Sequence, residues 1–239
     1  MSDTVDLLAI AAHRDDAELT CGGTLARTAR TARVGIVDLT QGESGTRGDA
    51  ATRAAEAARA AETLGVAVRL NAGLPDAHLH NDEPSRRTVV ELIRRTRPRV
   101  VILPFPVGRH PDHRIASELA RDACYLAGLA KYPAAGAPHR PFKILYALAY
   151  REDPVKPSFV VDISDTFDRK LEAIRCYASQ FEGAQAAGEI FPTGQDLHDL
   201  IRVQSAHYGS LIRRPYGEPF FTHETVAVDD VLRLGVQSL

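Results

Sequence analysis

The chain has 239 residues, 44% of them hydrophobic and 25% charged, with a formal net charge of −2. At this length roughly three quarters of the unfolded chain's surface is buried on folding, and such a composition excludes a disordered or collagen-like protein and a coiled coil. Near-balanced charge gives no broad reason to bind nucleic acid or an anionic membrane, and no apolar run approaches the ~20 residues of a membrane span. The first six residues hold Asp3 and Asp6 and no basic side chain, which argues against a secretory signal. Cys21, Cys124 and Cys176 are widely spaced, so neither a disulfide framework nor a zinc ribbon is expected. The expectation is a soluble cytoplasmic protein.

In chain order, residues 5–12 form a short apolar run suited to a strand buried on both faces. Residues 23–33 read as a helix and 34–39 as a second strand. A Gly-rich loop follows from Gln41 to Gly48. Asp49 caps the next helix, whose small face is Ala50, Ala54, Ala57, Ala58, Ala61 and Leu64, and Gly65 ends it. Residues 67–70 read as a third strand. Ser85 opens a helix that runs to about Thr96, with Val89, Leu92 and Ile93 facing inward. Pro98 closes it, and residues 100–103 are a fourth buried strand. Ile115, Leu119, Ala123 and Leu126 keep helical spacing. Beyond a Pro/Gly/Ala loop at 133–141, residues 144–150 and 159–161 read as strands and 167–179 as a helix. Alternating helices and continuously apolar strands imply one α/β domain over residues 1–239. Its architecture should be Rossmann-like: a mostly parallel sheet, helices on both faces, and a less regular C-terminal third.

Open α/β sheets keep their chemistry at the carboxyl ends of strands. After the first strand comes Ala12-His13-Arg14-Asp15-Asp16-Ala17-Glu18, then Cys21-Gly22-Gly23. After the fourth comes Gly108-Arg109-His110-Pro111-Asp112-His113. One His and one Asp from the first loop, plus one His from the second, would make a three-donor metal site with a position left for water. A second Asp beside them could act as general base. An Asp pair after a strand often only caps the next helix, and loop histidines are common; two such clusters at matching strand ends favour the metal reading.

Other chemistries fail on inspection. The first loop lacks GxGxxG, no GxxxxGK[ST] occurs, and Thr46 stands where a nucleophile elbow from Gly42 needs its last Gly. His78, His80, His139, His198, His207 and His223 read as surface or loop residues. Glu18 reads as a local cap or pair, and Cys21 as a small core residue. Only four of the 29 basic residues are lysines. Most arginines read as solvated helix faces. Arg53 and Arg109 stand out because each lies beside a motif loop.

The two clusters resemble the signatures A-H-P-D-D-x-E, followed by G-G, and H-P-D-H of the PIG-L/LmbE-type zinc-dependent N-acetylglucosaminyl deacetylases. Arg14 stands where proline is commonest. Residues 38–48, 109–113, 157–164, 177–181 and 216–220 are similar to the bacillithiol-biosynthesis branch, which removes acetate from N-acetylglucosaminyl-malate. The resemblance implies His13, Asp16 and His113 as ligands of one Zn2+ per chain, a set that also accepts other divalent metals. It implies Asp15 as general base, His110 as the group that stabilises the oxyanion and protonates the amine, and Asp112 as the residue orienting His110. Arg53 and Arg109 would hold the malate end of a small N-acetylated amino-sugar conjugate, with bidentate carboxylate geometry suited to arginine. Relatives of this type often form hexamers, so a homo-oligomer is expected. Another N-acetyl sugar or a thiol-conjugate amide is the alternative substrate, and a non-catalytic sugar- or nucleotide-binding module the distant alternative.

Overall fold

In the computed structural model, which describes residues 3–148, 155–182 and 196–236, seven strands form one sheet in the order β3-β2-β1-β4-β5-β7-β6. These are β1 (Leu7–Ala11), β2 (Val34–Thr40), β3 (Val68–Leu74), β4 (Val100–Pro104), β5 (Lys143–Ala147), β6 (Phe159–Asp162) and β7 (Gly217–Phe221). The first five run parallel. β7 is antiparallel to both neighbours. The expected mostly parallel α/β sheet is therefore present, and the C-terminal third adds its antiparallel strand.

Alternate residues of each strand face opposite layers. Leu8, Ile10 and Val101 pack with Val89, Ile93, Leu119 and Ala123 of α3 (Glu83–Thr96) and α4 (Pro111–Ala127). Leu7, Ala9 and Ile36 pack with Ala17 and Leu25 of α1 (Asp16–Thr28), Ala57 and Ala60 of α2 (Ala50–Leu64), and Ala173 of α5 (Phe167–Arg175). A short turn, α6 (Ala178–Phe181), and α7 (Leu197–Leu211) follow. Leu19, Phe167, Leu171 and Ile201 form a third cluster near α7. Each fully buried aliphatic side chain stabilises the fold by about 1.5–3 kcal/mol.

Several boundaries differ from the sequence pattern, each for a physical reason. The first helix begins at Asp16 and not at Gly23. Gly22 and Gly23 look like a break, yet a Cβ on Gly23 would lie 2.8 Å from the Ile163 side chain, so glycine lets α5's approach strand lie close. The chain kinks at Cys21 (φ −140°) and resumes. Asp82, not Ser85, caps α3: its carboxylate accepts the Ser85 N–H, and Pro84 fits the first turn. Asp49 and Gly65 cap α2 as expected. The buried face of α2 is rotated, however. Arg53, Glu56 and Ala60 are buried with Ala57, Ala61 and Leu64, whereas Ala54 and Ala58 are exposed. Alanines lie on every side of this helix, so their spacing does not choose a face; buried charge does. The helix expected over 167–179 stops at Arg175 before the turn of α6, and α7 and β7 were not expected. The strand expected over 144–150 is β5, and its last two expected residues lie outside the described residues. Among the described residues no helix is long and apolar enough to cross a membrane.

One buried ion pair ties β7 to the α1 kink. Lys170 Nζ lies 2.6 Å from Glu218 Oε1, with both side chains almost fully buried. Glu218 also accepts the N–H groups of Gly23 (2.9 Å) and Thr24 (2.7 Å), which the kink leaves without helical partners. Removing one member of such a pair strands the other charge and typically costs about 3–5 kcal/mol. Glu218→Ala is therefore expected to lower the unfolding free energy by about that amount in denaturant titrations. A loss under 1 kcal/mol would mean that solvent reaches Lys170 in the variant.

Candidate active site

The sheet order reverses between β1 and β4: the chain steps to β2 and β3 on one side and to β5 on the other. Ligands of open α/β sheets bind at this crevice, beyond the carboxyl ends of the strands. Both motif clusters are there. β1 delivers His13, Arg14, Asp15 and Asp16. β4 and the loop after it deliver Arg109 and His110, and α4 starts with Pro111, Asp112 and His113.

Asp16 joins the two clusters. Its Oδ2 lies 3.3 Å from His13 Nδ1, and its Oδ1 lies 3.2 Å from His113 Nε2. Oδ2 also accepts the His13 backbone N–H at 2.9 Å. The other nitrogen of His13, Nε2, faces two more carboxylates, Asp76 at 3.1 Å and Asp112 at 3.3 Å. Nitrogens of His13, His110 and His113 also lie within 4.8 Å of one another. Donor atoms of His13, Asp76 and Asp112 lie equally close, so the clusters that could hold a divalent cation are His13–His110–His113 and His13–Asp76–Asp112, while Asp16 pairs with His13 and His113 through opposite oxygens. Second carboxylates on a ligating imidazole are the usual means of fixing its tautomer and orientation.

Electrostatics follow from this crowding. Burial disfavours a charged His13, but Asp112, Asp16 and Asp76 outweigh it and hold its pKa well above an ordinary histidine's. Burial also opposes charge on His113, and Asp16 again wins, raising that pKa. Asp16, despite burial, is held well below the usual carboxylate range by His113 and His13. Its neighbour Asp15 goes the other way. Burial and then the Asp16 charge push the Asp15 carboxyl up to about 7, against the pull of Arg53. Two adjacent carboxyls thus differ in charge: Asp16 is an anion, while Asp15 titrates near neutral pH.

Asp15 sits at the N-cap of α1 at φ 138°, and its side chain makes no capping bond. A non-glycine residue in that region stores backbone strain of about 1–3 kcal/mol. Arg53 holds the strained turn from below. It donates to the carbonyls of Arg14 (3.2 Å) and Gly42 (3.0 Å), and its Nη2 lies 3.7 Å from Asp15 Oδ2. Gly42, at φ +73°, has no room for a Cβ beside the Arg53 guanidinium. Arg14 reaches sideways to the Ala50 carbonyl (2.7 Å), bracing α2 against the motif loop. Arg109 and His110 are exposed at the rim.

His110 caps α4, with its Nδ1 accepting the Asp112 backbone N–H at 3.2 Å. A neutral ring held this way carries its proton on Nε2. Burial, and then the charges of His13 and His113, lower its pKa. The Asp112 carboxylate does not touch His110 in this arrangement; it accepts the Ala77 N–H (2.8 Å) and faces His13. Orientation of His110 thus comes from the Asp112 main chain, because Pro111 turns that N–H back onto the ring.

The residues match the model of the GlcNAc-PI de-N-acetylase family, PIG-L, over positions 8–124. Diacetylchitobiose deacetylase of Thermococcus kodakarensis is 30% identical over 91% of this chain and 82% of its own length. The chain belongs to the PIG-L family. A second relative, 1D-myo-inositol 2-acetamido-2-deoxy-alpha-D-glucopyranoside deacetylase of Rhodococcus jostii, is 28% identical over 89% of this chain and 93% of its own. The crystal structure of the conserved protein TT1542 from Thermus thermophilus superposes with a TM-score of 0.84 at 37% identity, covering 95% of this chain and 98% of that one.

In this PIG-L chain the sequence pattern missed Asp76. It lies just beyond β3 and binds His13, the Ser44 N–H (2.9 Å) and the Ala77 N–H (2.9 Å). Bonding to His13 and to these N–H groups lowers its pKa to about 2 despite burial. Its signal was position: β3 runs to Leu74, so Asp76 too follows a strand end, which a strand stopped at residue 70 hides. Glu18 is likewise not a local pair. It accepts Arg69 Nη1 (2.6 Å) and the Tyr177 hydroxyl (3.0 Å) in the buried layer beneath the site. Cys21 is buried, and burial pushes its thiol well above the ordinary range.

A metal ligated by His13 and His113 would have to displace the protons that these residues hold more tightly than ordinary histidines. Metal affinity should therefore weaken as pH falls, and the weakening should begin above pH 6.5, the ordinary histidine value. Chelator competition for Zn2+ across pH 5–9 measures this directly. A flat profile over that range would remove these histidines from the ligand set.

Proposed function

We propose that this PIG-L protein is a divalent-metal-dependent N-deacetylase that removes acetate from an N-acetylated amino sugar, and that its substrate is N-acetylglucosaminyl-malate of bacillithiol biosynthesis. The observation that carries the reaction class is Asp15: a carboxyl poised near neutrality, uncommitted to capping, beside Asp16, whose two oxygens pair with His13 and His113. A zinc ion held by those three residues would polarise the amide carbonyl and acidify water.

The chain's own groups supply the proton chemistry. Asp15 accepts a proton as water attacks the carbonyl carbon. His110, with Nε2–H available, donates a hydrogen bond to the developing oxyanion, and the proton then passes to the leaving amine. Arg53 keeps Asp15 in its strained position, while Asp76 and Asp112 fix the ring of His13. Asp15→Asn is expected to retain the metal and lose roughly 10²–10⁴-fold in kcat. Metal analysis and acetate release measure the two separately. Near-parental turnover would assign the proton to another group.

The malate end rests on the family branch and on Arg109, which is exposed at the rim beside His110. Arg53 is 4% exposed, its Nη1 and Nη2 donate to the Gly42 and Arg14 carbonyls, and so its part in binding is to hold the Gly-rich loop. Loss of a charged hydrogen bond typically costs about 1.5–3 kcal/mol. Arg109→Ala should lower kcat/KM for N-acetylglucosaminyl-malate by tenfold or more and change plain N-acetylglucosamine much less. The 30% identity to a diacetylchitobiose deacetylase favours a second reading, an N-acetylated oligosaccharide. Higher parental kcat/KM for diacetylchitobiose than for the malate conjugate would select it.

A further inference from the structure

Residues 177–181, singled out by the sequence but without a part in the proton chemistry above, close on the Gly-rich loop. Tyr177 is fully buried, and its hydroxyl donates to Glu18 Oε1 at 3.0 Å. The turn of α6 therefore leaves the buried layer from a fixed point. Ser179 donates its N–H (2.8 Å) and its hydroxyl (2.7 Å) to the two oxygens of Glu56. Gln180 Nε2 donates to the Arg47 carbonyl at 2.7 Å. Arg47 in turn donates from Nη1 to the Glu182 carbonyl at 3.1 Å. Gly48, at φ +66°, sits so close that a Cβ there would lie 2.7 Å from Ser179 Oγ.

The Gly-rich loop is thus gripped at both ends, and both grips come from the buried face of α2. Arg53 binds the entry at Gly42, and Glu56, one turn later, binds the exit through Ser179 and its neighbour Gln180. Between these ends, Glu43 and Ser44 bond to Asp76, whose carboxylate faces His13. The middle of the loop therefore borders the site, and its seating depends on the two ends. At the entry the grip is a buried guanidinium. At the exit Gly48 is exposed, and the grip is made by side chains of α6.

We propose that Ser179 and Gln180 are positioning residues that latch the exit of the Gly-rich loop to α2 and so keep the loop seated against the site for substrate. Its effect on turnover rests on the amide-hydrolase reading above. With the latch cut, the loop leaves its seat part of the time, and apparent substrate affinity falls by the fraction that stays seated. Bound substrate draws the loop back, so KM rises while kcat holds. One hydrogen bond shifts such an equilibrium by roughly two- to tenfold.

The test compares the zinc-loaded parent with Gln180→Ala, with Gln180→Glu, which keeps the shape without the N–H, and with Gln180→Lys, which restores a donor. An arginine-specific protease reads the latch directly, because the carbonyl that Gln180 binds belongs to the Arg47–Gly48 bond it would cut. Mass spectrometry follows that cut, and acetate release from N-acetylglucosaminyl-malate and diacetylchitobiose gives KM and kcat. Gln180→Ala and Gln180→Glu are expected to be cut roughly two- to tenfold faster at this bond and to raise KM by a similar factor. Their kcat and melting temperature should stay near the parent's, and Gln180→Lys should return cutting and KM toward parental values. Ser179→Ala, read the same way, decides the case if Gln180→Ala melts early. Parental cutting in both Gln180→Ala and Gln180→Glu overturns the latch. A fall in kcat with KM unmoved, the mark of a general loosening, overturns the positioning role. Faster cutting reversed by Gln180→Lys, with no acetate released by the parent from either substrate, supports the latch and overturns the deacetylase reading instead.

Discussion

The Asp16 carboxylate lies between two imidazoles that arrive from different strands, and the surrounding structure depends on keeping it charged. One oxygen faces His13 and the other His113. Ionised Asp16 raises both histidine pKa values and, through its charge, raises that of Asp15 next to it. A single buried anion thus sets the protonation of two imidazoles and of the carboxyl next to it. Beside it, Asp15 stores local strain at φ 138°.

Holding that geometry takes a charged layer under the site. Arg69 donates to both oxygens of Asp38 (2.8 and 2.9 Å) and to Glu18, which also accepts the Tyr177 hydroxyl. Burial raises the Asp38 pKa, and Arg69 only partly offsets it. Glu18 lies one turn beyond Asp15, so these bonds anchor the start of α1 to β2, β3 and the segment after α5. Glu56 extends the layer by accepting the Ser179 N–H and hydroxyl. Buried networks of this kind are costly when incomplete, and they fix one arrangement when complete.

The Gly-rich loop is the second support. Arg53 takes the Gly42 carbonyl, Asp76 takes the Ser44 N–H, and Glu43 accepts the Asp76 N–H at 2.8 Å. Asp76 and Arg53 each touch both this loop and the motif loop after β1. Movement of the Gly-rich loop is therefore coupled to the orientation of His13 and to the backbone of Asp15. Arg14 adds a further brace to α2 that a proline at this position would lack.

The sequence by itself determined the alternation of strands and helices, the caps at Asp49 and Gly65, and the two His/Asp clusters at strand ends. Those are local matters: apolar runs, capping chemistry and spacing within a few residues. Tertiary structure alone decided which way α2 faces, because its alanines are all round and only the partners of Arg53 and Glu56 select a side. It alone paired Glu18 with residues 51 and 159 positions away, and brought Asp76 onto His13. It also turned the Asp112 carboxylate from His110 to His13, since a carboxylate goes to the strongest donor within reach in three dimensions. The glycines before Thr24 read as a helix break in one dimension. They are in fact the clearance for Ile163, a neighbour that exists only after the sheet has formed.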